Sequence, residues 1–217
     1  MEDKKMRQCH DLFIKLTKGY LTGQIDVDES FIDADWEKIY ELAYRTGLTP
    51  MLCEVVQQVY AKYPFDASVY NRFINGTIVM ALKEEQKIKC VGNIIKAAEA
   101  KGIQVLIFKG PVIADVYKDY RMRYSSDTDM FVDEKNKDAM MEVLKDLGYQ
   151  WLEEKSKDHV QNLHIPNVHY VELHTALWED FSGTRIKILE SFGLTAEHNR
   201  IRDTFCGIEM DTIRHEE

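Results

Sequence analysis

The first hundred residues carry apolar positions at helical spacing. Apolar residues recur every three or four positions in four segments, which are residues 9–20, 35–45, 49–63 and 67–101. This period is typical of helices that bury one face and expose the other. Gly47 and Pro64 each separate two successive segments, as helix-breaking residues do. The pattern therefore predicts a helical region over residues 1–101.

From Gly102 onward, strand-like runs alternate with helix-like runs. The apolar run at residues 105–108 predicts a strand that is buried on both faces, and a helical pattern follows Pro111. Further strands and helices are predicted at residues 127–132, 134–147, 149–152, 159–165 and 169–177. Residues 102–217 therefore form a predicted α/β core. No linker rich in Gly or Ser precedes it, so we expect the helical region to pack on this core.

Two aspartates open the second predicted strand. Side chains two residues apart on a strand project from the same face, so Asp127 and Asp129 present their carboxylates together. Two carboxylates about 4 Å apart repel by about 4 kcal/mol at an effective dielectric constant of about 20, and a divalent cation removes that repulsion. Mg²⁺ prefers one or two carboxylates together with substrate phosphates. Taken alone, an Asp-x-Asp pattern more often marks a solvated turn or strand edge, so the neighbouring segments decide its interpretation.

A third carboxylate follows on a strand that we expect beside the aspartate strand. In residues 170–174 the alternation is clear, with Val171 and Leu173 facing the core and Tyr170, Glu172 and His174 facing the other side. His174 is interpreted either as a group that orients Glu172 or contacts a phosphate, or as a passive neighbour. A zinc site that joins it to His164 and His169 is disfavoured, because the spacing places these histidines on different strands and faces.

The turn after the first strand, Lys109-Gly110-Pro111, is a candidate anion site. A strand, a tight glycine turn and a helix N-terminus together present backbone N–H groups to an anion, and Lys109 adds a positive charge. Arg121 or Arg123, in the polar loop before the aspartate strand, could bind a triphosphate through the planar guanidinium. An ordinary turn and surface arginines remain the alternatives.

The ordered set of these motifs resembles the nucleotidyltransferase fold of the DNA polymerase beta superfamily. More narrowly, it is similar to a group of uncharacterised bacterial nucleotidyltransferase-family proteins, over about residues 36–178. The matching segments are Phe108-Lys109-Gly110, Tyr117, Arg123, Asp127 to Val132, Leu147-Gly148-Tyr149 and Val171 to His174. The superfamily usually has Gly-Ser in the turn, whereas this chain has Lys109-Gly110. Backbone amides and Lys109 would then replace the serine contact to phosphate.

The resemblance implies an α+β fold and a two-metal transfer mechanism. Asp127, Asp129 and Glu172 would hold Mg²⁺ or Mn²⁺, while Lys109, Gly110 and Arg123 would bind the NTP. The implied reaction moves an NMP group to a small-molecule or protein acceptor and releases pyrophosphate. Two rivals remain open, a catalytically silent protein of the same fold that binds a nucleotide or a partner, and a metal-assisted phosphoester hydrolase.

The composition limits the class of acceptor molecule and the cellular compartment that we expect. The formal net charge of −9 argues against tight binding to long nucleic acid, whose affinity comes mainly from Lys and Arg at phosphates. Four cysteines lie far apart in the sequence, which suits a reducing cytoplasm. Neither a signal peptide nor a membrane-spanning apolar run is expected.

The spacing of apolar residues near the C-terminus predicts secondary structure less clearly than in the preceding segments. Residues 190–202 are predicted to be partly helical and residues 204–210 to form a short strand, with no closing hydrophobic helix. Members of the resembled family often continue further, so the resemblance implies a shortened form or a subunit of something larger.

Overall fold

The structure is a computed structural model that describes residues 2–157, 159–176 and 200–213. The chain divides into two compact units. The first comprises the residues up to Glu84 together with Arg121–Tyr124, and the second comprises Glu85–Tyr120 and the residues from Ser125 onward. The predicted packing of residues 1–101 on residues 102–217 stays a prediction.

The first unit is helical, as the spacing of apolar residues predicts. Its helices are α1 (Glu2–Thr22), α2 (Trp36–Arg45), α3 (Thr49–Lys62) and the first half of α4 (Ala67–Ala100). Asp35 caps the N-terminus of α2, since its carboxylate accepts a hydrogen bond from the backbone N–H of Lys38, and Pro50 lies in the first turn of α3. Fully buried apolar side chains, among them Leu16, Ile39 and Phe73, form a core of this unit.

The second unit contains a seven-stranded mixed sheet in the order β3-β4-β5-β2-β1-β7-β6. The strands are β1 (Leu106–Phe108), β2 (Asp127–Phe131), β3 (Gln150–Trp151), β4 (Val160–Ile165), β5 (His169–His174), β6 (Arg200–Phe205) and β7 (Ile208–Ile213). Two further helices, α5 (Pro111–Ala114) and α6 (Lys137–Asp146), belong to this unit. The α+β class predicted from the sequence, with a mixed sheet and an N-terminal helical region, is confirmed.

The two faces of this sheet differ in chemistry. Ile107, Met130 and Leu173 lie on one face of the three central strands and are completely buried. They form one core with apolar side chains of α6 and of the second half of α4. The opposite face carries the acidic side chains of β2 and β5. Burial of one face thus fixes which side chains the other face presents.

Two predicted elements near the end of the described residues differ from the structure. The single strand predicted at residues 204–210 is wrong, because this segment spans the turn of a hairpin between β6 and β7. Cys206 and Gly207 have φ angles of 51° and 77°, which suit a two-residue hairpin turn. Arg200–Phe205 is strand, so the predicted helix is also wrong for residues 200–202, and residues 190–199 lie outside the described residues.

The helix predicted after Pro111 is much shorter than its pattern. Helix α5 ends at Ala114, after one turn. The next residue, Asp115, accepts a hydrogen bond at 2.7 Å from the backbone N–H of Cys206 in the β6–β7 turn. This contact between distant parts of the chain holds the segment after α5 in an irregular conformation.

None of the helices in the described residues is long and apolar enough to cross a membrane.

Candidate functional site

The carboxylates of β2 and β5 are brought together by a parallel register. Asp129 lies directly beside Glu172, and Asp127 lies beside Tyr170. Because residues two apart share a face, Asp127, Asp129, Glu172 and His174 all project from the face opposite the core. The adjacency of Glu172 to Asp129 agrees with the expectation that their strands are neighbours.

Asp129 is the most enclosed carboxylate of the three. Only 6% of the residue is exposed. Its Oδ1 accepts a hydrogen bond from Lys109 Nζ at 3.3 Å and lies 3.2 Å from His174 Nε2. Burial alone would raise the pKa of Asp129, but the hydrogen bond from His174 and the charge of Lys109 outweigh it, so the pKa lies below the usual value. Asp129 is therefore ionised at neutral pH.

Glu172 has the opposite electrostatic environment. Burial raises its pKa, and the charges of Asp129 and Asp127 raise it further, while His174 and Lys109 act in the other direction. The nearest basic atom is His174 Nε2, at 3.7 Å from Glu172 Oε2. Burial is therefore the main cause of the raised pKa of Glu172, and repulsion from the two aspartates adds to it.

Asp127 lies at the edge of this group. It is half-buried, and Ser126 Oγ donates to its Oδ1 at 3.4 Å. Ligand atoms of Asp129, Glu172 and His174 all lie within 4.8 Å of one another, and Asp127 is not part of that set. The structure therefore brings two of the three predicted metal-binding carboxylates into one cluster and places Asp127 beside it.

The turn after β1 positions Lys109. Lys109 and Gly110 have φ angles of 62° and 42°, in the left-handed region that residues other than glycine rarely adopt. The turn directs the lysine ammonium to Asp129, although 61% of the lysine side chain is exposed. Helix α5 has only four residues. Its dipole therefore stabilises a bound anion less than the dipole of the longer predicted helix would.

Arg123 belongs to the segment Arg121–Tyr124, which groups with the helical unit. Its predicted contact with a triphosphate stays a prediction. Arg121, the alternative from the same loop, lies in the same segment.

A buried polar network supports β2 from the core side. Thr128, between the two aspartates, is completely buried, and its Oγ1 lies 2.9 Å from His169 Nε2. The hydroxyl of Tyr149 lies 2.5 Å from His169 Nδ1. Burial, with a smaller contribution from Lys87, lowers the pKa of His169 to about 3, so the imidazole is neutral. The alternation of β5 indicates which face His169 occupies, but its partners come from distant segments.

His174 is the site residue whose position the sequence defined least. It is 6% exposed, and its ring packs against Phe108 with the ring centroids 5.2 Å apart. Its Nε2 reaches Asp129 across the strand pair. Sequence analysis identified the face that it shares with Glu172, but not its contact with Asp129.

Comparison with known proteins identifies the family. A family model described as "Uncharacterised nucleotidyltransferase" matches residues 33–202, which are 170 of the 217 residues. A solved structure of ANT(2")-Ia in complex with adenylyl-2"-tobramycin is similar over 44% of this chain and 52% of that chain, with 17% identity and a TM-score of 0.36. The chain thus spans about half the length of that protein. No curated protein is significantly similar in sequence.

Proposed function

We propose that this chain, which belongs to the uncharacterised nucleotidyltransferase family, transfers a nucleoside monophosphate from an NTP to a small-molecule or protein acceptor and releases pyrophosphate. The observation that carries the proposal is the register of Asp129 with Glu172 on adjacent parallel strands. This register holds two carboxylates side by side on a polar face. Mg²⁺ or Mn²⁺ would bind there through Asp127, Asp129 and Glu172.

The donor set fits divalent cations. Oxygen ligands from carboxylates suit Mg²⁺ and Mn²⁺, and the carboxylates of Asp127, Asp129 and Glu172 share one face of the sheet. Lys109 partly neutralises Asp129, but most of the lysine side chain is exposed. The ammonium can therefore move from Asp129 into solvent. A cation therefore has room to replace it beside Asp129.

The turn would hold the triphosphate. In this proposal, Lys109 leaves Asp129 and pairs with the outer phosphates, while the backbone at Gly110 contributes further contacts. When bound, the divalent cations supply neutralisation of the charge that develops on the α-phosphate and pyrophosphate. The chain's own contribution is mainly to position the phosphates and the acceptor.

Glu172 would serve the acceptor side. In this proposal, Glu172 also accepts the proton of the attacking group, directly or through a water molecule. Asp129 suits this task less, because its Oδ1 already lies 3.3 Å from Lys109 Nζ and 3.2 Å from His174 Nε2. The two carboxylates thus divide the work, with Asp129 binding and Glu172 both binding and accepting a proton.

The test is to incubate the protein with labelled NTPs, Mg²⁺ or Mn²⁺ and a cell extract, and to identify which component gains label. Pyrophosphate release gives the second readout. The proposal expects label transfer with the parent protein and none with Asp129→Asn. Metal-dependent NTP binding without label transfer or pyrophosphate would support a silent binder instead. Phosphoester cleavage that needs no NTP would support a hydrolase.

A further inference from the structure

His174 lies where a metal ligand would lie. Its Nε2 is 3.2 Å from Asp129 Oδ1 and 3.7 Å from Glu172 Oε2, and the third pair of ligand atoms in the set is no more than 4.8 Å apart. Ligands about 2.1 Å from a six-coordinate cation are separated by about 3.0 Å when adjacent and about 4.2 Å when opposite. The spacing in this protein is therefore close to that of three ligands around one ion.

A hydrogen-bonding role alone explains this position poorly. The 3.2 Å separation from Asp129 Oδ1 is at the long end of N–H···O hydrogen bonds, and the 3.7 Å separation from Glu172 Oε2 is too long for one. The nitrogen thus makes a long hydrogen bond to Asp129 and also lies near Glu172 Oε2, a second oxygen that this hydrogen bond does not account for. Phe108 packs against the imidazole, which limits rotation of the ring away from this position.

We propose that His174 Nε2 binds the cation directly, together with Asp129 and Glu172, and that this nitrogen makes the site favour transition-metal ions over Mg²⁺. The inference rests on the proposed function for the presence of a cation, and it changes the ligand set. Imidazole is a softer ligand than carboxylate, and it adds little to the binding of a hard cation such as Mg²⁺. Asp127 then lies outside this ion's set and is available to a second ion.

The test uses Mn²⁺ as the probe, because its electron spin echo spectrum reports directly coordinated nitrogen. The full chain with bound Mn²⁺ should show nitrogen modulation from an imidazole. His174→Gln should abolish that modulation, because an amide nitrogen is not a metal ligand. Glutamine can still donate a hydrogen bond from a similar position, so a purely orienting role would survive this substitution.

Affinity supplies the second readout. His174→Gln should weaken Mn²⁺ binding by about 10-fold or more, because even groups that only orient a metal ligand typically change metal affinity by about 10- to 100-fold, and it should weaken Mg²⁺ binding much less. His164→Gln is the matched control, because His164 is half-buried on β4 and outside the ligand set. This control should keep both the modulation and the ratio of Mn²⁺ to Mg²⁺ affinity.

The results separate this inference from the proposed function. Bound Mn²⁺ without nitrogen modulation in the parent protein overturns the inference, as does modulation that persists in His174→Gln or the absence of Mn²⁺ binding. Nucleotidyl transfer without nitrogen modulation would leave the proposed function standing. Nitrogen-coordinated Mn²⁺ without transfer to any acceptor would support the ligand assignment and count against the enzyme.

Discussion

Replacing Glu172 by Gln should stabilise the metal-free protein at neutral pH. Ligand oxygens of Asp129 and Glu172 lie no more than 4.8 Å apart. At that separation two unit negative charges repel by about 0.9 kcal/mol at the dielectric constant of water and by about 3.5 kcal/mol at an effective value of about 20. Lys109 and His174 offset part of the repulsion, and solvent screens a side chain that is 32% exposed. We therefore expect a gain of about 1 kcal/mol.

The gain should depend on pH in a defined direction. The folded protein holds the pKa of Glu172 above its usual value, so the side chain destabilises the fold progressively as the pH rises from the usual pKa of a glutamate through the folded pKa. Below the usual pKa of a glutamate the side chain is neutral in both the folded and the unfolded states. The advantage of Glu172→Gln should therefore be small in acid, grow as the pH rises through the folded pKa of Glu172, and then stay constant.

Thermal unfolding measures this effect. A gain of about 1 kcal/mol corresponds to a rise in Tm of about 2–4 °C for a chain of this size. The control is Glu142→Gln, which removes an exposed carboxylate from α6 in the same unit and should leave Tm nearly unchanged. A Glu172→Gln protein that is no more stable than this control at neutral pH would refute electrostatic coupling between the two carboxylates.

Three further predictions concern ligands and turnover. Mg²⁺ or Mn²⁺ with an NTP at about 100 times the Kd should stabilise the parent protein by about 2.7 kcal/mol. Asp129→Asn should abolish this stabilisation, and the exposed control Asp146→Asn should keep it. Equal stabilisation of both variants would show that Asp129 is not part of the site. Lys109→Ala should weaken NTP binding more than NMP binding in calorimetry, because its charge meets the outer phosphates, and equal losses would mark the lysine as structural. Glu172→Gln should keep NTP binding but lower the rate of pyrophosphate release by about two to three orders of magnitude, which corresponds to about 3 to 4 kcal/mol of lost transition-state stabilisation. Turnover at the rate of the parent protein would contradict the three-carboxylate site.

Local patterns were sufficient for the elements whose packing is local. The helices of the first unit follow from apolar residues at helical spacing, and α2 and α3 begin within a residue of their predicted starts. The alternation along residues 170–174 also gave the correct faces of β5, because burial of Val171 and Leu173 leaves Glu172 on the other side. In both cases the deciding interaction is the burial of one face.

Contacts between distant segments decided the elements that the sequence did not define. The β6–β7 turn contains Cys206-Gly207 rather than a strong turn pair such as Asn-Gly, so the alternation of apolar residues read through it as one strand. Helix α5 stops after one turn, where Asp115 meets the β6–β7 turn. No periodicity within residues 112–117 contains that information.

The position of His174 has the same origin. On β5 it pairs with Phe131 rather than Asp129, so its contact with Asp129 is a diagonal one across the parallel strands. Diagonal neighbours on a sheet come within reach only when the side chains are long or aromatic. The contact therefore depends on the exact register and on the ring orientation that Phe108 supports, and neither can be derived from the spacing of residues in one strand.

The site combines a fixed part with an adaptable part. Asp129 and Glu172 lie on central strands, and the buried network from Thr128 through His169 to Tyr149 holds β2 from behind. Lys109, in contrast, lies on a turn with positive φ angles and is mostly exposed. In the proposed reaction, the carboxylates would hold a cation in place, and Lys109 would move from Asp129 to the incoming phosphates. Placing the first on strands and the second on a turn allows the lysine to move without disturbing the carboxylates.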